Sequence, residues 1–563
     1  MSIVAPEMLA LQRLYEWEKT APGRIALTQP MGEGVTRDFT WAQVADQVRR
    51  MAAHLKACGW EPGSKVAILS KNCAWWMMSD LAIWMAGYVS VPLYPTLAHA
   101  TVEQILTHSE ARACFVGKLD GWEGMKPGVP AGLPCISYPL SPADAINCHE
   151  GWDDICARNA PLAGQPVRGA EELATLIYTS GTTGRPKGVM HSFGNFAWAL
   201  DKGIKRITMS AQDRMLSYLP LAHVVERVLV EHGWLRIGMR VYFAESLDTF
   251  AADMQRARPT IFFSVPRLWV KFQHGVHHKL PPARLKLLLS IPLIGGLVRR
   301  KVLGALGLDQ CRIAAGGAAP MPVELLAWYR KLGLPINEGY GMTENLALSH
   351  LTLPGQDQQG SVGPAYEGVE VRIDADSGEI QMRSQALMLG YYKEPQQTRD
   401  TYTADGWLRT GDKGRIDGSG NLHITGRIKD LFKTSKGKYV APAPIEDKLV
   451  MHEAVEACVV TGANLGQPLG IVMLNAEAVT RAGEGAARSE LEASLGRHLQ
   501  AVNATLDPHE QLDCLVVVTT AWTVDNDIIT PTFKVKRNRI EEIYSAHYVR
   551  WESSSSKVIW QAG

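Results

Sequence analysis

Thr179-Ser180-Gly181-Thr182-Thr183-Gly184-Arg185-Pro186-Lys187-Gly188 places four hydroxyls (Thr179, Ser180, Thr182, Thr183) and two glycines ahead of a lysine. The preceding Ala174-Thr-Leu-Ile-Tyr178 reads as a short buried strand, and Val189 to Asn195 leads into a helical run. Strand, glycine loop and helix in that order would aim backbone N–H groups at a phosphate. A Walker A loop is excluded. Pro186 stands where that motif has the glycine before its lysine, and Gly188 replaces the Ser/Thr that would hold magnesium. An ordinary turn shares the residue types, but ten such residues at this spacing favour a phosphate-handling loop of another kind.

The loop sits in a βα rhythm. Thr40-Trp-Ala-Gln43 is a capping box whose helix runs to a stop at Gly59. Strands follow over Lys65–Ser70, Val89–Leu93 and Ala113–Val116, with helices to Gly87 and over Thr101–Ser109 between them. Beyond the loop the rhythm returns, with strands over Asp213–Leu219, Arg240–Phe243 and Thr260–Ser264. The class is α/β, with two doubly wound, mostly parallel sheets. From Gly360 to Gly426 shorter strands and many glycines predict a small β subdomain. After Lys429 an α+β unit follows, with helices near Ser489–Val502 and Arg537–Tyr544 around a strand at Leu512–Thr519. Residues 1–428 and 429–563 are read as the two domains, joined at Gly426-Arg-Ile-Lys-Asp430.

At 563 residues the chain is too long for one core. Lys and Arg (58) balance Asp and Glu (57), so nothing marks nucleic acid as a partner. Nine scattered cysteines, none in a C-x-x-C pair, argue for a reducing compartment and against structural zinc. With no signal-peptide pattern at Met1–Glu7, the expected location is cytoplasmic.

Two apolar stretches raise the question of a membrane. Cys73 to Val91 is interrupted by Asp80 and reads as a buried helix and strand. Leu287 to Val298 contains Pro292 and two glycines and is too short to span. Packing on the domain core is the preferred reading of it. Peripheral contact with a membrane surface is the alternative, because Arg284, Lys286, Arg299, Arg300 and Lys301 flank it. His274, His277 and His278 fall at helical spacing but have no carboxylate or thiol beside them in sequence, so a metal there is not expected.

Four further stretches belong with the loop. Gly316-Gly-Ala-Ala-Pro320 has side chains small enough for a flat ring to lie on its backbone. Asn337-Glu-Gly-Tyr-Gly-Met-Thr-Glu344 follows a strand-like Leu334–Ile336, where α/β sheets bind ligands. Trp407-Leu-Arg-Thr-Gly-Asp412 offers a carboxylate suited to a vicinal diol, and Thr530-Pro-Thr-Phe-Lys-Val-Lys-Arg537 clusters positive charge.

Together and in this order, the motifs resemble the acyl-adenylate-forming enzymes over nearly the whole chain. Ser217-Tyr-Leu-Pro-Leu-Ala-His-Val-Val-Glu-Arg227, Pro259–Trp269, Pro92–Thr96 and Leu431–Lys438 are similar to the long-chain fatty acyl-CoA synthetase branch. The resemblance implies ATP-dependent activation of a medium- or long-chain fatty acid to acyl-AMP, then transfer to coenzyme A. A ligase that hands its acyl group to a carrier protein, and a catalytically silent homologue, are the alternatives. A monomer or homodimer is implied.

Carried over by position, Thr179, Ser180, Gly181, Thr182, Thr183, Gly184 and Lys187 would hold the β- and γ-phosphates. Glu344 and Thr182 would place Mg²⁺. Adenine would lie between Gly317-Ala318-Ala319 and Gly339-Tyr340, within the run that continues through Gly341 and Thr343. Asp412 would take the ribose hydroxyls, with Arg427 nearby. Lys534 matches the family's adenylation lysine, and His223 would lie by the carboxylate at the mouth of the acyl pocket, lined by Val224, Val228, Phe262 and Val265. Lys429 aligns with the hinge, and Lys433 to Gly437 would face the thioester step. There are two departures. Pro531-Thr-Phe stands before Lys534 where many members carry Ser-Gly, and Arg185 replaces a frequent lysine. The retained K-x-x-R spacing to Arg537 favours Lys534 over Lys536.

Overall fold

The computed structural model describes residues 4–180, 185–319, 321–353, 360–483, 485–530 and 534–561. Its largest sheet has eight strands. From one edge they are Gly390–Tyr391, Pro186–Ser192, Leu173–Ser180, Val89–Leu93, Lys65–Leu69, Ala111–Val116, Cys135–Ser137 and Glu150–Gly151. The last six run parallel, as the βα rhythm predicts. The helix between two of them, Ala74–Met85, is buried at every residue, tryptophans 75, 76 and 84 included. That settles the first apolar stretch as core.

The second half is split into two four-stranded sheets. Ile261–Ser264, Ile313–Gly316 and Ile336–Tyr340 are parallel and edged by His350–Leu351. Arg214–Ser217 and Arg240–Phe243 are joined by a hairpin from the start of the chain, Ile25–Gly32 with Val35–Thr40. The helix predicted at Thr40 is present as Trp41–Ala57 with both capping-box bonds, and Gly59 ends it at φ 68°. The β subdomain is a four-stranded antiparallel sheet of Glu370–Ile373, Glu379–Arg383, Leu408–Ile416 and Leu422–Arg427.

From Phe432 onward the apolar side chains form two clusters of their own around the sheet of Val455–Thr461, Leu469–Leu474, Leu515–Val518 and Val558–Gln561. Helices Gly485–Asn503 and Arg537–Tyr544 flank it, close to the predicted spans.

Two expectations change. The loop after Leu173–Ser180 does not lead into a helix. Pro186–Ser192 returns as an antiparallel strand, with Thr179 paired to Lys187 and Tyr178 to Gly188. The helix begins only at Phe193, behind the Ser192–Asn195 capping box. Pro186 is tolerated as the first residue of a strand, and Gly188 leaves room for the Tyr178 ring, which a Cβ would approach to 3.2 Å. The chain therefore returns along an antiparallel strand before the helix starts, and no helix N-terminus directly follows Ser180.

The second change concerns Leu287–Val298, which is not a packed helix. Pro282–Ser290 and Ile294–Ala305 form a helical hairpin in which only Leu285 and Gly295 are buried. Among the described residues no helix is long and apolar enough to cross a membrane.

Candidate active site

The chemistry-bearing segments leave the carboxyl ends of parallel strands: the loop after Ser180, Tyr218–His223 after Ser217, Ala318–Ala319 after Gly316, and the run after Tyr340. A crevice outside such ends is where α/β sheets bind ligands.

In the segment expected to hold phosphates, Gly181, Thr182, Thr183, Gly184 and the Ser180 side chain lie outside the described residues. Lys187 is described, in the returning strand. Its ammonium sits 5.3 Å from the centre of the Tyr391 ring. Burial lowers its pKa, Glu344 opposes that, and Lys429 adds to the lowering. The Tyr391 hydroxyl donates to Glu344 Oε1 at 2.7 Å, and the Glu344 carbonyl accepts from Met388 N–H at 2.8 Å. Tyr391 was not singled out from sequence; it lies in a two-residue strand that pairs with Val189, a contact that no local pattern announces. Buried His191 is neutral, its pKa pushed down to about 4 by desolvation. It therefore has a single ring N–H, and Nε2 donates it to the Thr343 carbonyl at 2.7 Å.

In the segment expected to lie against adenine, Gly317 is buried and Ala318 and Ala319 are exposed. A Cβ on Gly317 would meet the Gly339 carbonyl at 2.9 Å and the Phe263 ring at 3.2 Å. Ala318 holds φ 69°, a left-handed turn that swings the chain off its strand. Gly339 and Tyr340 belong to the strand Ile336–Tyr340 itself and do not follow it. Gly341 serves packing. A Cβ there would lie 2.3 Å from the Ala347 backbone.

The Tyr340 hydroxyl donates to Asp412 Oδ2 at 2.6 Å, and Arg427 Nε lies 3.2 Å from Asp412 Oδ1. Asp412 and Arg427 are cross-strand partners. The Gly-Asp pair is thus part of a strand, and its carboxylate is fixed from two sides, with lone pairs left to accept further hydroxyls.

Lys534 reaches this cluster from the C-terminal unit. Burial lowers its pKa, Arg427 lowers it further, and Asp412 opposes. As a residue Lys534 is exposed. Lys536 instead pairs with Asp527. The same ammonium acts on His223, whose pKa is pushed down to about 4 by burial first and Lys534 second. His223 is therefore neutral, and its Nδ1 accepts from Val225 N–H at 3.3 Å.

The Tyr218–His223 loop has anchors that sequence reading passed over. Asn72 donates to the Leu219 carbonyl (2.6 Å) and accepts from Leu221 N–H (2.9 Å). Glu226 Oε1 accepts from Ser217 Oγ (2.8 Å), Tyr218 N–H (3.0 Å) and Asn72 Nδ2 (3.2 Å). With no cation among these partners, burial pushes the Glu226 carboxyl up to about 8. Arg227 is fully buried and pairs with Asp80 at 2.5 Å, opening a π-helical turn over Arg227–His232. Glu226 therefore braces the loop from behind, while Arg227 ties the turn that follows to the buried helix Ala74–Met85.

Two of the four residues proposed for the acyl pocket separate from the others. Val224 and Val228 belong to the large N-terminal core. Phe262 faces the Trp269–Tyr329 cluster, and strand alternation puts Phe263 on the cleft side, against Gly317.

Lys433 and Gly437 are not brought to the crevice. They lie on a small hairpin, Phe432–Lys433 with Tyr439–Val440, against the 464–465 turn. His277 packs edge-on against Trp328 (5.5 Å), and His274 feels Glu453 of the C-terminal unit. Among the described residues no group of three His, Cys, Asp or Glu could hold a metal. One carboxylate, Glu344, fits a magnesium held mainly by substrate phosphates.

A family model of AMP-binding enzymes matches residues 14–392, and one of the AMP-binding enzyme C-terminal domain matches 429–547. The chain is 30% identical to the long-chain-fatty-acid–CoA ligase FadD15 of Mycobacterium bovis, over 95% of each chain. It is 27% identical to long chain acyl-CoA synthetase 5 of Arabidopsis thaliana, covering 94% of this chain and 89% of the relative. Among solved structures, the adenylation domain of a Mycobacterium chelonae carboxylate reductase superposes with TM-score 0.82 at 23% identity, covering 98% of this chain and 92% of that one. The anthranilate CoA ligase AuaEII superposes with TM-score 0.76 at 22% identity, covering 95% and 97%.

Proposed function

The chain belongs to the AMP-binding enzyme family, in its long-chain acyl-CoA synthetase branch, and on that premise we propose that it converts a medium- or long-chain fatty acid, ATP and coenzyme A into acyl-CoA, AMP and pyrophosphate. The observation that carries the reading is the placement of Lys534. One ammonium lies in the field of both the Asp412–Arg427 pair and His223, joining the nucleoside end to the loop beside the acyl motif.

In the first half-reaction a carboxylate oxygen attacks the α-phosphorus and the bond to pyrophosphate breaks. Charge grows on phosphate oxygens, where preorganised cations contribute most. Lys534 meets the α-phosphate and the incoming carboxylate, and Lys187 meets the departing pyrophosphate. Neutral His223 lies beside the carboxylate as a hydrogen-bonding group without competing charge. Asp412 holds the ribose hydroxyls while Tyr340 and Arg427 keep its carboxylate aimed. Adenine lies on the Gly317–Ala319 backbone. Magnesium bound with the nucleotide would neutralise phosphate charge, with Glu344, held by Tyr391, as its protein ligand.

In the second half-reaction the thiolate of coenzyme A attacks the acyl carbonyl and AMP leaves. Lys433 and Gly437 are remote from the crevice in this arrangement, so a rotation of residues 429–563 about Lys429 would exchange them for Lys534. The 428/429 division is part of the same proposal.

The test is a screen of fatty and aromatic acids with ATP and coenzyme A, following AMP, pyrophosphate and thioester. Fatty-acid-dependent thioester is expected. Pyrophosphate release without thioester would indicate a carrier-directed ligase, and neither product would indicate a binder.

A further inference from the structure

Four of the chain's exposed large apolar side chains fall in one hairpin: Leu287 (62% exposed), Leu293 (90%), Ile294 (43%) and Leu297 (71%). The others are scattered singly, which is ordinary for a protein surface. The hairpin is tightly closed, since a Cβ on Gly295 would meet the Leu289 carbonyl at 2.6 Å. Its base is rooted in the core through Leu303, Leu306 and Leu308. Leu293, at the tip, holds φ 67°. A leucine kept in the left-handed region and almost wholly in water is unfavourable twice over, and such strain persists where a function uses it.

Charge singles out the same element. Residues 254–308 contain ten Lys and Arg and no Asp or Glu, in a chain whose total is 58 against 57. Arg284, Lys286, Arg300 and Lys301 are exposed around the apolar tip, and none of them makes an ion pair among the described residues. Apolar residues ringed by unpaired cations complement a surface that is apolar inside and anionic outside.

We propose that the Pro282–Ala305 hairpin is a peripheral membrane anchor that inserts Leu293, Ile294 and Leu297 into a bilayer rich in anionic lipid. Arg284, Lys286, Arg300 and Lys301 meet the headgroups. This surface is separate from the crevice and does not depend on which acid the crevice activates.

The test is flotation of the full-length chain with vesicles of two parts phosphatidylcholine to one part phosphatidylglycerol, beside phosphatidylcholine alone, at rising salt. The chain should bind the mixed vesicles and be released as salt screens the headgroups. Leu293→Glu/Leu297→Glu and Arg300→Glu/Lys301→Glu should each lower partitioning at least about tenfold. Their melting temperatures should match the parent, because the altered side chains are exposed. Absence of binding by the parent, parent-level binding by either variant, or indifference to the anionic lipid would overturn the proposal. So would a lipid-free dimer of the parent that Leu293→Glu/Leu297→Glu converts to monomer without either form binding vesicles, since the occupant would then be a second copy.

Discussion

Lys534 acts at a junction, and its removal should separate the two half-reactions. Lys534→Ala deletes a charge that the proposed adenylation transition state uses and that thioester formation does not. ATP–pyrophosphate exchange should fall about 10²–10³-fold, the scale of one lost electrostatic partner. Thioester formation from supplied acyl-adenylate should be largely retained. Equal loss of both would contradict the assignment.

Glu226 gives a separate handle on stability. Its carboxyl is held at about 8 in the fold, against an ordinary value of 4.5. Below about pH 4.5 both folded and unfolded forms carry the proton, and the group imposes no penalty. As pH rises the unfolded chain ionises first, so this contribution is lost progressively until the folded carboxyl itself titrates. Glu226→Gln keeps the acceptor for Ser217, Tyr218 and Asn72 but cannot ionise. Its denaturation midpoint should gain on the parent between about pH 5 and 8. Parallel curves would mean that Glu226 is ionised in the fold.

Elements with strong local patterns were legible: the capped helix at Trp41–Ala57 and the strands Val89–Leu93 and Arg240–Phe243 fall where alternation and capping put them. What failed was set by contacts distant in sequence. Pro186–Ser192 becomes a strand because Leu173–Ser180 and Gly390–Tyr391 pair with it on either side, and the second partner lies some two hundred residues on. The hairpin Ile25–Thr40 sits beside Arg240–Phe243 for a similar reason. Choosing Phe262 and not Phe263 for the cleft was a question of strand phase, and one residue of phase exchanges the two faces. Sequence could nominate site residues where the proposed chemistry needs a particular side chain (Lys187, Glu344, Asp412, Lys534). The residues packed around them, Asn72, His191 and Tyr391, could not be nominated, because each acts through hydrogen bonds to residues distant in sequence.

For the whole molecule the question is what keeps the C-terminal unit docked with Lys534 in the crevice. Met451 packs against the cluster around Trp269, and Arg267 pairs with Glu456 across the boundary. Within the C-terminal unit itself Arg537 ties Asp430 (3.4 Å), next to the joint, to Glu446 (2.5 Å). Against docking, the Asp447 carboxyl is pushed up to about 8 by burial, with Glu446 and Glu338 of the crevice adding to the effect. Arg267 and Glu456 are each more than a third exposed, so their pair contributes at most about 1 kcal/mol, or up to about fivefold in the docked population. Glu456→Arg should therefore slow adenylation by about two- to fivefold and leave thioester formation from acyl-adenylate unchanged or faster. The swap Arg267→Glu/Glu456→Arg should restore adenylation, because the ion pair is rebuilt with its sign reversed. Recovery in the double variant is the decisive reading. If the swap is as slow as Glu456→Arg alone, the pair does not set the docking balance and the apolar contact at Met451 is the one that holds the unit.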